Sequence, residues 1–167
     1  MRNIVLIGMP GCGKSTVGVV LAKNLGMDFI DSDLLIQRGM GMRLKEILEK
    51  HGDDGFREIE NRVNSGIQAE NSVIATGGSV VYGEEAMAHL KTLGTVVYLK
   101  LSYQQIEDRL GDLHARGVTI RPGQTLRGLY DERCPLYERW ADLVMPCDGL
   151  RLREVVLRLT GQLEEKT

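Results

Sequence analysis

Cysteine and long hydrophobic runs are both scarce in this chain. Its three cysteines, at positions 12, 134 and 147, lie far apart and match no zinc-binding or disulfide spacing. Few and scattered cysteines indicate a reducing compartment. No apolar stretch approaches the ~20 residues needed to span a bilayer. The apolar run Ile4–Ile7 is too short for a secretory signal. We therefore expect a cytoplasmic protein that contacts no membrane.

A strong excess of one charge is also missing. The chain has 21 lysine and arginine residues against 23 aspartate and glutamate residues, for a formal net charge of −2. This balance argues against general nucleic-acid binding, which usually requires a basic surface. Internal repeats, low-complexity tracts and linkers are absent as well. At 167 residues, a single domain over 1–167 with a sizeable core is expected.

Glycine, by contrast, is plentiful, and one stretch that contains it is especially informative. Residues 8–16 read Gly-Met-Pro-Gly-Cys-Gly-Lys-Ser-Thr and fit the phosphate-binding pattern G-x-x-x-x-G-K-[ST]. The run Ile4–Ile7 before it is suited to a buried parallel strand. Apolar residues at helical spacing follow it, and Gly26 marks the end of that helix. A strand, a glycine loop and a helix N-terminus are the arrangement that a P-loop requires.

The chemistry of a P-loop predicts roles for these residues. Glycines allow backbone N–H groups to surround an anionic phosphate, and the helix dipole favours the negative charge. Lys14 is expected to reach the β- and γ-phosphates of ATP, and the Ser15 hydroxyl to bind Mg²⁺. Cys12 occupies a variable position, where we interpret it as a small filler rather than a redox group. The predicted ATP-binding residues of the loop are Gly11, Cys12, Gly13, Lys14, Ser15 and Thr16.

Short apolar segments alternate with helical patterns along the rest of the chain. Five such segments predict strands, at 4–7, 28–30, 72–76, 96–99 and 143–145. Strands that alternate with helices imply an α/β fold, with a parallel sheet covered on both faces. The loops that follow the strands then lie at one edge of the sheet. The polar, glycine-punctuated segment at about 111–128 is predicted to be largely a mobile lid loop.

Two carboxylates follow the second predicted strand, on the same edge as the P-loop. One of Asp31 and Asp33 could hold Mg²⁺ through water, and the other could accept a proton from an attacking hydroxyl. The alternative is a helix N-cap at Ser32 or Asp33, because serine and aspartate both cap helices well. The residues alone leave both interpretations open.

Other candidate residues favour structural roles when each is taken singly. Arg57 and Glu60 could form an ion pair on a solvated helix face. The glycine pair 77–78 could be a plain turn or could let the backbone approach a substrate. Arg133 suits a carboxylate or phosphate, because the guanidinium fork matches both.

Taken together and in order, these segments resemble the shikimate kinase family of small P-loop kinases. The resemblance implies a P-loop NTPase fold, with a five-stranded parallel sheet flanked by helices. It also implies transfer of the γ-phosphate of ATP to the 3-hydroxyl of shikimate, with Mg²⁺. The segments that carry it span nearly the whole chain: Gly8–Thr16, Phe29–Asp33, Gly52, Phe56–Glu60, Ala75–Gly78, Val96–Leu99, Arg133–Glu138 and Ala141–Asp142.

The resemblance also implies roles at matching positions. Asp33 is similar to the family's aspartate that binds the substrate hydroxyls and is a candidate base, and Asp31 to the one that helps to place Mg²⁺. Ser15 matches the direct magnesium ligand. Arg57 and Arg133 resemble the family's arginines that clamp the substrate carboxylate. Gly77 and Gly78 resemble its glycine turn, whose backbone contacts substrate, and Arg109 resembles an arginine that packs on adenine.

The chain departs from the family pattern at three points. Ser79 follows the glycine pair where a third glycine is usual, and Asp53 replaces a glutamate. In place of the lid motif Arg-Pro-Leu-Leu, the chain offers Arg116-Gly117-Val118 and Arg121-Pro122-Gly123. Spacing from Arg109 favours Arg116 as the catalytic, ATP-binding lid arginine, whereas the local Arg-Pro favours Arg121. We expect Arg116.

These departures leave three functions open. The first is a shikimate kinase that acts on a small carboxylated hydroxyl compound. The second is a related kinase for another acceptor, such as gluconate or a nucleoside monophosphate. The third is a nucleotide-binding regulator without catalysis, which the intact Lys14, Ser15, Asp31 and Asp33 argue against. The family resemblance implies a monomer.

Overall fold

The computed structural model describes residues 2–110 and 121–165 as an α/β fold. The strands are β1 (Asn3–Ile7), β2 (Asp28–Asp31), β3 (Ser72–Ala75), β4 (Gly94–Lys100) and β5 (Leu143–Pro146). The helices are α1 (Lys14–Leu25), α2 (Ser32–Met40), α3 (Leu44–Ser65), α4 (Glu84–Leu93), α5 (Tyr103–Leu110), α6 (Leu126–Trp140) and α7 (Leu152–Glu164). A single 3₁₀ turn, Val80–Tyr82, follows β3 within the described residues.

The five strands form one parallel sheet, as predicted, and the structure gives their order as β2-β3-β1-β4-β5. The chain leaves β1 for one side of the sheet and later returns to β4 on the other side. The carboxyl end of β1 is therefore the topological switch point, where open α/β sheets bind their ligands. The P-loop occupies this position. The order of the strands thus places it between the loops that follow β3 and β4.

The core forms around the central strands, because they are covered by helices on both faces. Val5, Leu6 and Ile7 of β1 are completely buried, which explains why this strand is an unbroken apolar run. A second, smaller cluster of Ile36, Ile47, Phe56 and Ile59 joins α2 to α3 beside the main core. This small cluster supports the side of the molecule on which Asp33 and Arg57 lie.

Several element boundaries differ from the predicted ones for local reasons. Helix α3 breaks at Gly52, whose φ of 70° and ψ of −178° are not helical, so two helical segments meet there, as the glycine would lead one to expect. Helix α6 begins at Leu126, because the Thr125 side chain caps it by accepting from the Gly128 N–H. The last three residues of the predicted lid, 126–128, are therefore helical. Residues 111–120 of that lid lie outside the described residues.

Among the helices of residues 2–110 and 121–165, none is both long and apolar enough to cross a membrane. This agrees with the lack of long hydrophobic runs in the sequence.

Candidate active site

The P-loop connects β1 to α1 with backbone conformations that glycine adopts readily. Gly11 and Gly13 have φ angles of 77° and 94°, in the left-handed region that other residues enter at a cost. Gly13 is the N-cap of α1, so the free N–H groups of the first helical turn face the loop. The Lys14 side chain is buried, and its ammonium donates to the carbonyls of Gly8 at 2.7 Å and Met9 at 2.9 Å. The loop thus concentrates positive charge in one concave backbone segment.

Ser15 and Asp31 meet beside this loop. The Ser15 hydroxyl donates to Asp31 Oδ2 at 3.2 Å, and Asp31 Oδ1 accepts from the Asp33 N–H at 3.0 Å. Asp31 is therefore the N-cap of α2, and the expected cap at Ser32 or Asp33 was wrong by one or two residues. The cap fixes the Asp31 carboxylate beside Ser15, because its other oxygen bonds the helix.

These two side chains fit a magnesium ion better than a metal held by protein alone. No group of three or more histidine, cysteine, aspartate or glutamate side chains suitable for a metal occurs among the described residues. Mg²⁺ usually takes one or two protein oxygens and completes its shell with water and nucleotide phosphates. Ser15 and Asp31 would supply such a pair next to the phosphate-binding loop.

Asp33 lies in the first turn of α2 and faces the same cavity as Lys14. Burial raises the pKa of its carboxyl, Asp31 raises it further, and the Lys14 ammonium opposes the shift. A Cβ atom placed on Gly77 would come within 2.8 Å of Asp33 Oδ1. The carboxylate therefore lies directly over the backbone of the glycine turn.

One cavity of about 350 Å³ joins these groups. Its polar and glycine lining includes Gly11, Gly13, Lys14, Ser15, Thr16, Asp33, Glu60, Gly77, Gly78, Ser79 and Arg133, with Phe56 among its apolar walls. The structure thus brings the P-loop, the predicted base, the glycine turn and one predicted arginine to a single site. These residues come from elements as distant in sequence as α1 and α6.

The glycine turn has no space for side chains. A Cβ atom on Gly78 would approach Pro10 Cδ to 2.8 Å and Arg133 Nη1 to 3.1 Å. Tyr137 also donates its hydroxyl to the Gly78 carbonyl at 2.6 Å. This close packing favours the second interpretation of the glycine pair, in which bare backbone forms part of the wall of the cavity.

Glu60 differs most from its expected role. It is 2 % exposed, so it is not half of a solvated ion pair. Its Oε1 accepts from the Ser79 hydroxyl at 2.6 Å, and its Oε2 has no hydrogen-bond partner among the described residues. Burial raises the pKa of Glu60 to about 7; Asp33 adds to the shift, whereas the bond from Ser79, Arg133 and Arg57 oppose it. The sequence did hold a signal, because residue 60 lies one turn after Phe56 on the apolar face of α3.

Glu60→Gln is expected to remove a pH-dependent loss of stability. The folded protein holds the Glu60 proton up to about pH 7, whereas the unfolded chain releases it near 4.5. The free energy of unfolding therefore falls as the pH rises through this window. Because one pKa unit corresponds to about 1.4 kcal/mol, the loss is on the order of 3 kcal/mol.

Urea unfolding at ~pH 5 and ~pH 8 measures this difference in the wild type and the variant. Glu58→Gln, an exposed substitution on the same helix, is the matched control and should keep the wild-type pH dependence. An unchanged pH dependence in Glu60→Gln would show that Glu60 is already ionised at the lower pH.

The two predicted clamp arginines lie close together but not in identical surroundings. Arg133 is 3 % exposed and lines the main cavity. Arg57 lines a small adjoining recess instead, which Arg133 and Arg121 also line. Both guanidinium groups lie near the ring of Tyr82, with the Cζ of Arg57 3.8 Å and the Cζ of Arg133 5.5 Å from its centroid. Sequence reasoning did not single out Tyr82.

Arg109 lies on the other side of the P-loop. It donates to the Gly11 carbonyl at 3.4 Å and lines a second cavity of about 290 Å³ that is otherwise mostly apolar. Cys12 lines the same cavity and is 3 % exposed, as a filler would be. A planar, uncharged base beside the phosphate loop would suit this cavity. Arg116 lies outside the described residues.

Known proteins match this chain over nearly its whole length. The family model for shikimate kinase matches residues 10–164. A shikimate kinase from Thermodesulfovibrio yellowstonii is 39 % identical over 167 residues, covering 98 % of this chain and 96 % of the relative. One from Pseudomonas entomophila is 40 % identical over 168 residues, covering 99 % and 98 %.

A solved structure gives the same result. The shikimate kinase from Acinetobacter baumannii, in complex with shikimate, matches with a TM-score of 0.89 at 32 % identity, over 100 % of this chain and 95 % of that one. The resemblance that the motifs predicted is therefore confirmed over the whole fold, and the chain belongs to the shikimate kinase family.

Proposed function

We propose that this chain transfers the γ-phosphoryl group of ATP to the 3-hydroxyl of shikimate. The observation that carries the proposal is the single cavity in which Lys14, Asp33, Gly78 and Arg133 meet. A phosphate donor bound by the P-loop and an acceptor held near Arg133 would have their reacting atoms beside Asp33. The solved complex of the related Acinetobacter baumannii enzyme with shikimate supports this choice of acceptor.

The P-loop binds and orients the donor. Its backbone N–H groups would hold the phosphates, and Lys14 would neutralise charge on the β- and γ-phosphates. Ser15 and Asp31 would hold Mg²⁺, which supplies further charge neutralisation on the phosphates. Arg109 and the second cavity would receive the adenine. Most of the rate enhancement then comes from positioning and electrostatic stabilisation of the transferring group.

Asp33 is the proposed base that takes the proton of the acceptor hydroxyl. The hydroxyl oxygen of the acceptor attacks the γ-phosphorus, its proton passes to the Asp33 carboxylate, and the bond to the bridging oxygen breaks to release ADP. A base works best when its pKa lies close to the working pH. Burial and Asp31 move the pKa of Asp33 upward, which is the direction that strengthens it as a base.

Arg57 and Arg133 would hold the acceptor carboxylate, so replacing either by lysine should raise KM for shikimate. Lysine keeps the charge but loses the two parallel hydrogen bonds of the guanidinium fork. A charge-assisted hydrogen bond contributes roughly 1.5–3 kcal/mol, so a rise of roughly ten- to a hundredfold is expected. KM for ATP should change far less.

Steady-state kinetics with each substrate varied in turn checks this prediction. Arg139→Lys is the matched control, because Arg139 lies on the same helix as Arg133 but pairs with Glu84 at the surface. Shikimate methyl ester should also be a poor substrate of the wild type. Equal turnover of acid and ester would rule out the clamp.

Arg116 is our proposed lid arginine, and we expect it to act near the β- and γ-phosphates. Arg116→Ala should lower kcat, whereas Arg121→Ala should not, and parallel kinetics of the two variants decides between them. Arg121 lines the recess beside Arg57 and Arg133. An Arg121→Ala variant that loses kcat alone would reverse the assignment.

A coupled assay for ADP release tests the proposed reaction directly. Shikimate should support turnover, whereas gluconate and nucleoside monophosphates should not exceed the rate without acceptor. Activity with gluconate or a nucleotide in place of shikimate would favour the second interpretation of the sequence. The cytoplasmic location, the monomeric state and the lack of nucleic-acid and membrane partners stay predictions.

A further inference from the structure

Tyr82 lies where three separate elements of the site meet. It ends the 3₁₀ turn after the glycine pair, whereas Arg57 belongs to α3 and Arg133 to α6. The guanidinium carbon of Arg57 is 3.8 Å from the centroid of its ring, which is the distance of direct stacking. Tyr82 itself is not among the described residues that line the cavity or the adjoining recess. Its contacts with the site that the structure describes are therefore those with the two arginines.

Two neighbouring cations at a partly desolvated site repel each other. The repulsion matters most at Arg133, which is almost completely buried, because burial weakens screening by water. The face of an aromatic ring carries partial negative charge and attracts a guanidinium group within about 6 Å of its centroid. Arg57 and Arg133 both lie within this range of the same ring. Tyr82 thus offsets part of the cost of holding the pair together.

The hydroxyl of Tyr82 orients Arg133 through a chain of hydrogen bonds. Arg133 Nε donates to the Tyr82 hydroxyl at 3.4 Å, and this hydroxyl donates to Glu132 Oε1 at 2.6 Å. Glu132 Oε2 in turn accepts from Gln124 Nε2 at 3.0 Å. Burial and the bond to Glu132 raise the pKa of Tyr82, so the phenol stays protonated and keeps donating.

The hydrogen bond to Tyr82 involves only the Nε atom of the Arg133 guanidinium group. Bidentate recognition of a carboxylate can use the two terminal nitrogens of a guanidinium group. With Nε occupied by Tyr82, Nη1 approaches the glycine turn, 3.1 Å from where a Cβ atom on Gly78 would lie. The terminal nitrogens therefore reach the glycine turn in the wall of the cavity, where the Tyr137 hydroxyl also bonds the guanidinium group.

We propose that Tyr82 is the positioning residue for recognition of the acceptor carboxylate, because it stacks on Arg57 and fixes the orientation of Arg133. This inference rests on the proposed carboxylate clamp. It adds that the affinity for the carboxylate depends on a residue that never touches the acceptor. The ring and the hydroxyl make separate contributions. The ring stacks on the Arg57 guanidinium group, and the hydroxyl accepts a hydrogen bond from Arg133 and so orients it.

Two substitutions separate these contributions. Tyr82→Leu removes the ring and should raise KM for shikimate about tenfold. Tyr82→Phe keeps the ring and loses the hydroxyl, and should raise it about threefold. Both variants should keep kcat and KM for ATP within about twofold of the wild type, since neither removes a transition-state contact. The preference for shikimate over its methyl ester should fall by the same factors, which a merely structural loss would not cause.

The chain contains a matched control. Tyr103 also donates its hydroxyl to a glutamate, Glu107, at 2.7 Å, and the Cζ of Arg127 lies 4.7 Å from its ring centroid. Tyr103 is likewise not among the described residues that line the cavity or the recess. Tyr103→Leu removes the same kind of interaction and should leave the KM for shikimate unchanged. An equal rise in both leucine variants would overturn the proposal.

A double-mutant cycle tests whether Tyr82 acts through Arg57. In an Arg57→Ala background, Tyr82→Leu should raise KM for shikimate by only the factor that Tyr82→Phe shows, since the stacked partner is gone. A tenfold rise in KM for shikimate in that background would show that the ring does not act through Arg57.

Crystal structures of the wild type and the variants without acceptor make the test independent of turnover. The Arg57 guanidinium should leave its position in Tyr82→Leu, and Arg133 Nε should lose its partner in Tyr82→Phe. Unmoved arginines in both variants would overturn the proposal. A wild type that fails to phosphorylate shikimate would contradict the proposed function instead, and the structures would still test Tyr82. If Tyr82→Leu does not fold, Tyr82→Phe still tests the role of the hydroxyl, through KM for shikimate and through the orientation of Arg133.

Discussion

Replacing Lys14 by alanine is expected to lower kcat for phosphoryl transfer by about 10²–10³-fold or more, because a preorganised charge at the transferring phosphoryl group is lost. The fold should remain intact, since the described bonds of the buried ammonium all go to its own loop, to the carbonyls of Gly8 and Met9 and to the Cys12 sulfur. Circular dichroism and thermal unfolding check the fold, and the ADP-release assay with shikimate measures kcat.

Lys23→Ala is the control for this experiment. Lys23 lies in the last turn of the same helix and is exposed, so its loss should leave kcat unchanged. A folded Lys14→Ala variant with a rate within a few-fold of the wild type would contradict the role of Lys14. It would also show that the backbone of the loop is sufficient for transfer.

Asp33→Asn should abolish most turnover with little loss of ATP affinity. A positioned general base contributes about 10²–10⁴-fold to the rate, and asparagine can still bond a hydroxyl but cannot accept its proton. Asp33 lies over the glycine turn and not in the P-loop, so nucleotide binding should change little. Calorimetric titration with a nucleotide, beside kcat measurements, separates the two effects.

The pH profile gives a second measurement of the same role. A base must be deprotonated to act, so kcat/KM should rise as the pH passes upward through the pKa of Asp33. Because burial and Asp31 raise that pKa, this rise should lie at higher pH than an ordinary aspartate would give. Asp28→Asn, at the exposed start of β2, should keep the wild-type profile. Normal turnover with weakened ATP binding in Asp33→Asn would contradict the assignment.

Residues whose neighbours in space are also neighbours in sequence could be predicted. The P-loop is a strand, a loop and a helix N-terminus in succession, so its conformation depends on glycines at particular positions and on the apolar run before them. The positions of the central strands β1, β3 and β4 could also be predicted, because strands buried on both faces require mostly apolar side chains. Only the boundaries of elements differed from the predicted ones, as at α6, which begins before Gly128 because the Thr125 side chain caps it.

The state of Glu60 could not be predicted in the same way. Its place on the apolar face of α3 was visible in the spacing, but its pKa was not: burial raises it most, Asp33 raises it further, and Ser79, Arg133 and Arg57 oppose the shift. Three of these four residues lie outside α3. An i, i+3 pattern describes only the partners available on one helix, and the actual partner was a serine from the loop after β3.

The sequence by itself therefore determined the nucleotide-binding loop, the parallel α/β sheet and the family. These follow from local periodicity and from motifs whose chemistry depends on consecutive residues. Only the tertiary structure decided how the side chains around the cavity interact: it buried Glu60 and placed Tyr82 against Arg57 and Arg133. The physical reason is that burial, stacking and charge interactions act over a few ångströms of space, and folding brings those groups together from helices and turns far apart in the chain.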